Sequence, residues 1–265
     1  MTRTNPSSTT ASPAASSPDY SAPGGLCAIH QPNLFPRLTT LAKLFAADTW
    51  IVLDDVQFTR RDYQHRTRLA ALGTPQAPVV RWISIPTHLP KGRQTAIREA
   101  LIANPDLARR RTMAMLRQHY GASPHWPALA QALVPVAAAF SSGRTAAVAE
   151  TSARTLLGLL GWKGQILHSS DLPARPGRSQ RLADLTTAVG ARSYLCGTGG
   201  MKYLDEAPFV AQAITVIPFL TPVDGIWATG RQISAVWALA TLGPAALADR
   251  LQPVASAQTS LQSAA

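Results

Sequence analysis

Apolar and polar positions along this chain fall into short blocks that switch between two periods. Leu26–His30 is a short apolar run closed by polar residues, the pattern of a buried strand. Leu38, Leu41, Leu44 and Phe45 then recur at helical spacing through Leu38–Ala47. Thr49–Leu53 is dense in β-branched and aromatic residues and predicts a second strand, which delivers Asp54 and Asp55 at its end. Val79–Ile85 reads as a third, closed by Pro86. The middle is helical: Leu107–Tyr120 ending at Gly121, Pro127–Phe140, and Thr145–Leu160 stopping at Gly161. Gln165–His168 is a short strand. Ser179 is expected to cap a helix with Leu182, Leu185 and Val189 on one face, ended by Gly190. Ser193–Cys196 runs as a strand into Gly197-Thr198-Gly199-Gly200, and Ile214–Ile217 makes another. A last helix, Gln232–Leu242, stops at Gly243-Pro244. Strands alternating with helices predict an α/β fold, a single domain over residues 26–250 with a mainly parallel sheet flanked by helices.

Residues 1–25 are Ser, Thr, Pro, Ala and Gly almost throughout and bury too little to offset their ordering entropy, so they read as a disordered tail. Residues 251–265 read as a flexible C-terminal tail, bland from Val254 on. The apolar stretches Ala128–Phe140 and Ala211–Leu220 are interrupted and fall short of the ~20 residues that a membrane span requires. No apolar run follows a basic start, as a signal peptide needs. Two cysteines make neither a disulfide framework nor a zinc site by themselves, and a cytoplasmic location is expected.

Charge changes the picture more. The formal excess is +11, and Thr59–Arg117 alone holds 12 Lys or Arg against three acids. Such a field suits an anionic partner, although an Arg-rich composition can also drift upward without function.

Ligands of open α/β sheets sit beyond the carboxyl ends of the strands. Three predicted strand ends carry polar groups: His30-Gln31-Pro32-Asn33, Asp54-Asp55-Val56-Gln57, and the turn after Cys196. His30 reads as a general base, a metal ligand, or a hydrogen-bonded residue that fixes the turn. Asp54 and Asp55 would point to opposite faces of a regular strand; at its end one could orient His30, or they pair with Arg61 and Arg66. Arg60, Arg61, Arg66 and Arg68, with Gln57 and Gln64 between them, form a donor set suited to carboxylate or phosphate. The glycine turn at 197–200, followed by Lys202 and Tyr203, lacks the P-loop pattern, and reads equally as an anion-binding turn or a connection needing positive φ. Cys27 and His30 fall on opposite faces of a straight strand, so a nucleophile pair from them is not expected, whereas Cys196 with His30 stays open.

The run Ala28-Ile-His-Gln-Pro-Asn-Leu-Phe-Pro36, then Asp48 and Leu53-Asp-Asp-Val-Gln-Phe58, resembles the opening of the WbqC-like family, as do Arg61, Gln64, Arg66 and Arg68 in their spacing. Ser170, Arg181-Leu182, Tyr194-Leu-Cys-Gly197, Gly200-x-x-Tyr203-Leu-Asp205, Ile233-Ser234 and Leu239 to Gly243 extend the resemblance over most of residues 26–243. Arg37 stands where that family tends to carry Trp, His65 where it tends to carry Asn, and Cys196 where Ser is common. The segment before the final helix is reduced to Thr221–Arg231. The resemblance implies a bacterial protein of surface-polysaccharide (O-antigen) or specialised-metabolite assembly, of a kind suggested to transfer glycyl or other acyl groups.

The leading expectation is thus a biosynthetic transferase that joins an acyl or aminoacyl group to an amine or hydroxyl. His30 would serve as base, oriented by Asp54 or Asp55. Gln31, Asn33 and Gln57 would hold a carbonyl oxygen or oxyanion, and Arg61, Arg66 and Arg68 the donor's anionic part, with Gln64, Cys196, Gly197 and Tyr203 also binding substrate. Partners would be a small-molecule acceptor and an anionic or carrier-bound donor. No cofactor is indicated, and a nucleic-acid partner is not the first expectation. Two alternatives stand beside it: a metal-dependent hydrolase or lyase using His30, Asp54 or Asp55, and His65; and an RNA- or tRNA-binding factor using the basic 59–117 segment, with Tyr63 and Trp82 as stacking surfaces.

Overall fold

The computed structural model describes residues 25–73 and 80–263. The tail expected over residues 1–25 lies outside them save for Gly25, as does Val79 of the third predicted strand. Five strands form one parallel sheet: β1 (Leu26–His30), β2 (Thr49–Val52), β7 (Gln165–His168), β8 (Ser193–Gly197) and β9 (Thr215–Phe219), in the spatial order β7-β2-β1-β8-β9. The remaining strands make two antiparallel pairs, β3 (Arg66–Ala70) with β4 (Val80–Ser84), and β5 (Thr87–His88) with β6 (Leu101–Ile102). The helices are α1 (Leu38–Phe45), α2 (Pro105–Tyr120), α3 (Trp126–Ala132), α4 (Val134–Ala139), α5 (Thr145–Leu159), α6 (Arg178–Ala188), α7 (Thr198–Met201), α8 (Ala207–Val210), α9 (Ile226–Gly230), α10 (Ala235–Leu242) and α11 (Pro244–Ser263).

The sheet is covered on both faces, as continuous apolar strands require. Leu26, Ala28, Trp50 and Leu195 pack with α1, α5, α10 and α11, whereas Cys27, Ile29, Ile51 and Cys196 pack with α6 and α8. The chain adds β2 and then β7 on one side of β1 before crossing to β8 and β9 on the other, so the strand order reverses between β1 and β8. That reversal leaves a crevice beyond the carboxyl ends of these two strands.

Several local expectations needed correction. The strand expected over Val79–Ile85 pairs with β3 in a hairpin outside the main sheet. β3 itself went unrecognised because its outward positions are Arg66 and Arg68, which mask the buried Thr67 and Leu69. Pro127–Phe140 is two helices: Pro135 has no N–H to donate and its ring crowds the preceding turn, and the chain breaks at Leu133. Ser179 lies inside α6, and its hydroxyl accepts from the backbone N–H of Asp205, 2.9 Å away, instead of capping its own helix. None of Gly197, Gly199 and Gly200 has positive φ; the turn opens directly into α7. Where a frayed tail was expected from Val254, α11 continues to Ser263, with Leu251 and Gln258 buried.

Candidate functional site at the opening between β1 and β8

β1 keeps four registered positions with β2 but only two with β8, Leu26 opposite Ser193 and Cys27 opposite Tyr194. Beyond Cys27 the two strands part. The carbonyl of His30 turns toward β2, where it accepts from the Leu53 N–H at 3.0 Å and from the Trp50 indole at 3.1 Å. Neighbouring carbonyls on a strand point to opposite edges, so that of Ile29 faces the parted side, beyond the registered pairing with β8. Lys43 supplies the donor instead, with Nζ 3.3 Å from the Ile29 oxygen.

Lys43 leaves α1 on one face of the sheet and is 5% exposed. Its ammonium comes within electrostatic reach of Cys27 and Cys196, which belong to the other face. Burial lowers its pKa from 10.5 to about 8, against an opposing pull from the two sulfurs. Sequence reading missed this residue, since a lysine in an amphipathic helix normally marks the solvent side. Burial also pushes the Cys196 thiol up, with Lys43 opposing, and Cys27 rises to about 12, so neither is poised as a nucleophile on its own.

His30 sits at the mouth of the opening. Its Nδ1 lies 2.8 Å from the Gln31 carbonyl oxygen, an acceptor, so Nδ1 carries the proton and Nε2 presents a lone pair. Burial, then the nearby Lys43 charge, lowers the imidazole to about 3, which keeps it neutral at physiological pH. Neither aspartate bonds to it. Asp54, 6% exposed, accepts from the Ser170 N–H at 3.2 Å and hydroxyl at 3.0 Å, and its own N–H donates to Ser169 Oγ at 3.3 Å. Asp55 accepts from the Ser169 hydroxyl and pairs with Arg181 of α6, not with Arg61 or Arg66. Burial raises the Asp55 carboxyl, but the Ser169 and Arg181 hydrogen bonds outweigh it and leave it below the ordinary value. The two carboxylates therefore tie the end of β2 to the end of β7.

The turn after β1 is held from three sides. Phe35 takes φ +42°, costly for a residue with a Cβ, and is fixed by a bond from its N–H to Ser152 Oγ at 2.7 Å and one from Thr67 Oγ1 to its carbonyl at 3.0 Å. The Leu34 N–H donates to the Tyr63 carbonyl, and Gln64 Nε2 to Gln31 Oε1 at 2.7 Å. Gln64 is fully buried and Asn33 nearly so, yet Gln64 Oε1 and Asn33 Oδ1 have no partner. A buried amide oxygen left unpaired costs roughly 1–3 kcal/mol, which a ligand donor would relieve.

Other expected residues lie elsewhere. Gln57 is exposed and donates to the Arg93 carbonyl at 2.6 Å. Tyr203 is 68% exposed beneath the Arg178 guanidinium. Arg66 and Arg68 face the outer side of the β3–β4 hairpin, and Arg61 is on the surface. Among the described residues no three His, Cys, Asp or Glu side chains gather as a metal site, and His65 packs on Phe58. A cavity of about 520 Å³ lined by Asp48, Trp162, Lys163 and Gln252 lies at the opposite, amino-terminal edge of β2 and β7, away from these groups.

Residues 31–222 match the model of the WbqC-like protein family. The chain belongs to that family. The span runs from Gln31, in the turn after β1, to just past β9; it includes Lys43 and β8, whereas β1 and His30 immediately precede it. Among the relatives of this WbqC-like chain is an uncharacterized protein of Mycobacterium tuberculosis, Rv1507c, 30% identical over 193 residues that cover 72% of this chain and 80% of that protein. No solved structure matches. No helix among the described residues is long and apolar enough to cross a membrane.

Proposed function

We propose that this WbqC-like protein is a biosynthetic transferase that moves an acyl or aminoacyl group onto an amine or hydroxyl at the opening between β1 and β8. The observation that carries the reading is a buried lysine of lowered pKa within electrostatic reach of a neutral imidazole where β1 and β8 part, with two unpartnered buried amide oxygens in the segments that follow and brace β1. Amide oxygens accept hydrogen bonds, so Asn33 and Gln64 fit the N–H or O–H groups of an acceptor rather than an oxyanion. His30 Nε2 orients the attacking atom. A group with pKa near 8 is closer than one near 3 to the value that general-base catalysis favours at neutral pH, so the proton passes to Lys43. The acceptor then attacks the donor carbonyl, the new C–N or C–O bond forms, and the donor's leaving group departs with the proton returned from Lys43. Asp54 and Asp55 act as anchors of the adjoining strand ends.

The test uses acetyl-CoA and glycyl-pantetheine as donors with a panel of amino sugars as acceptors, followed by mass spectrometry of products. Transfer by the native chain is expected, with Lys43→Met reducing kcat at least ~100-fold, in the range of a lost general base. Lys43→Arg should stay equally inactive, since it keeps the charge but cannot release the proton. Donor turnover unchanged in both Lys43→Met and His30→Ala would overturn the assignment.

A further inference from the structure

The outer face of the β3–β4 hairpin carries a ladder that the transfer chemistry does not use. The Arg37 guanidinium lies 4.6 Å from the Tyr63 ring centre, Tyr63 lies 6.0 Å from Trp82, and the guanidiniums of Arg66 and Arg68 lie 4.6 and 4.7 Å from the Trp82 ring. Pairing of Arg68 with Trp82, and of Arg66 with Ser84, puts these side chains on one face of the hairpin. Arg231 joins from α9's end through its carbonyl, 3.3 Å from Arg37, and Gln232 through Arg68 at 3.4 Å. None of the ladder arginines has a carboxylate within ion-pair distance among the described residues, unlike Lys91, Arg109, Arg154, Arg175 and Arg181. The same concentration of charge is felt next door, where burial and then the Arg66 and Arg60 charges lower His65 to about 4.

We propose that this ladder binds a single-stranded polynucleotide. Gathering guanidiniums without carboxylate partners in one place is repulsive unless an anion answers them. The guanidiniums of Arg37, Arg66 and Arg68 each lie over an aromatic ring. Arg66 gives Nε and Nη2 to the Asp62 and Arg61 carbonyls, and Arg37 and Arg68 give one Nη each to Arg231 and Gln232. The remaining edge N–H groups are left for phosphate, and a guanidinium stacked on a ring also stacks on a nucleobase. An acidic protein would need only point charges, without the aromatic supports. A single nucleotide would cover only part of a surface drawn from Arg37, Tyr63, the hairpin and Arg231, four separate stretches of chain. The surface is also not the whole basic 59–117 segment: it takes Arg37 and Arg231 from outside it. Trp82, 39% exposed, is the reporter. The proposal stands on binding alone, whatever reaction occurs at Lys43.

The experiment measures anisotropy of a labelled oligoribonucleotide of about eight residues, within the site sizes of single-strand binders, against the full chain over a salt series. Binding is expected to weaken with salt with a slope of about −0.7 per phosphate contacted. Arg66→Gln with Arg68→Gln should lower affinity at least ~10-fold and flatten the slope by about 1.4. Arg110→Gln with Arg111→Gln, which removes the same charge from α2, should change it little. Thermal melting confirms that both double variants are folded. Equal losses in the two double variants, or polyglutamate or AMP binding as tightly as the oligomer, would overturn the proposal.

Discussion

At the scale of single residues, the carboxyl edge of the sheet carries His30 and joins the Asp54-Asp55 pair to hydrogen-bonding groups from distant parts of the chain. His30 before Gln31-Pro32-Asn33 and the Asp54-Asp55 pair stood out as polar residues at strand ends, and both lie at the carboxyl edge of the sheet. Their partners could not be read, because these come from afar: Ser169 and Ser170 lie more than a hundred residues beyond Asp54, and Arg181 is 126 residues from Asp55. Lys43 was illegible although its carbonyl partner is only 14 residues away, since the parting of β1 from β8 is what leaves that carbonyl for its ammonium. Asp55 supports a test at this scale. Its carboxyl is lowered in the folded chain, so the native state binds fewer protons than the unfolded one near pH 3.8. The resulting stability is present above that pH and is lost as pH falls through the lower, folded value. Urea denaturation from pH 6 to pH 2.5 should show a smaller acid loss in Asp55→Asn than in the native chain; equal losses would mean that the Arg181 pair does not persist in solution.

At the scale of elements, periodicity located most helices and all five strands of the parallel sheet, and it failed where one residue type overrides the pattern. Pro135 divided the helical stretch expected over Pro127–Phe140 into α3 and α4. The arginines of β3 hid a strand whose alternation is plain once its partner is known: Thr67 and Leu69 inward, Arg66 and Arg68 outward. The glycine turn after β8 is explained by space, not by φ. A Cβ on Gly200 would stand 2.8 Å from Cys196 Sγ, so α7 can lie this close to the strand only without a side chain there. Gly200→Ala should therefore destabilise the fold by roughly 1–3 kcal/mol, as overpacking does. Adding Cys196→Ala should recover part of that loss, because it removes the sulfur in the way. A double-mutant cycle by chemical denaturation with no coupling would show that α7 shifts freely.

At the scale of the whole molecule, the C-terminal segment shows how far composition can mislead. Residues after Leu251 are small and polar enough to read as a tail, yet α11 closes over α1, α10 and β9. Leu247 and Leu251 enter the main core together with Leu41, Leu44 and Leu239. Leu251→Ala should cost roughly 2–5 kcal/mol, the range for a fully buried leucine. A melting temperature unchanged in that variant would return the segment to the status of a tail.

The α/β class, the polar strand ends and the family motifs are legible in the residues alone, because each depends on positions close together in the chain: a period, a cap, a run. The tertiary structure alone decided where strand order reverses, how far β1 and β8 stay paired, and which long side chains reach across the gap. Those outcomes turn on contacts between segments more than a hundred residues apart. Sequence spacing carries no such information, because the chain's path between those segments decides whether they meet.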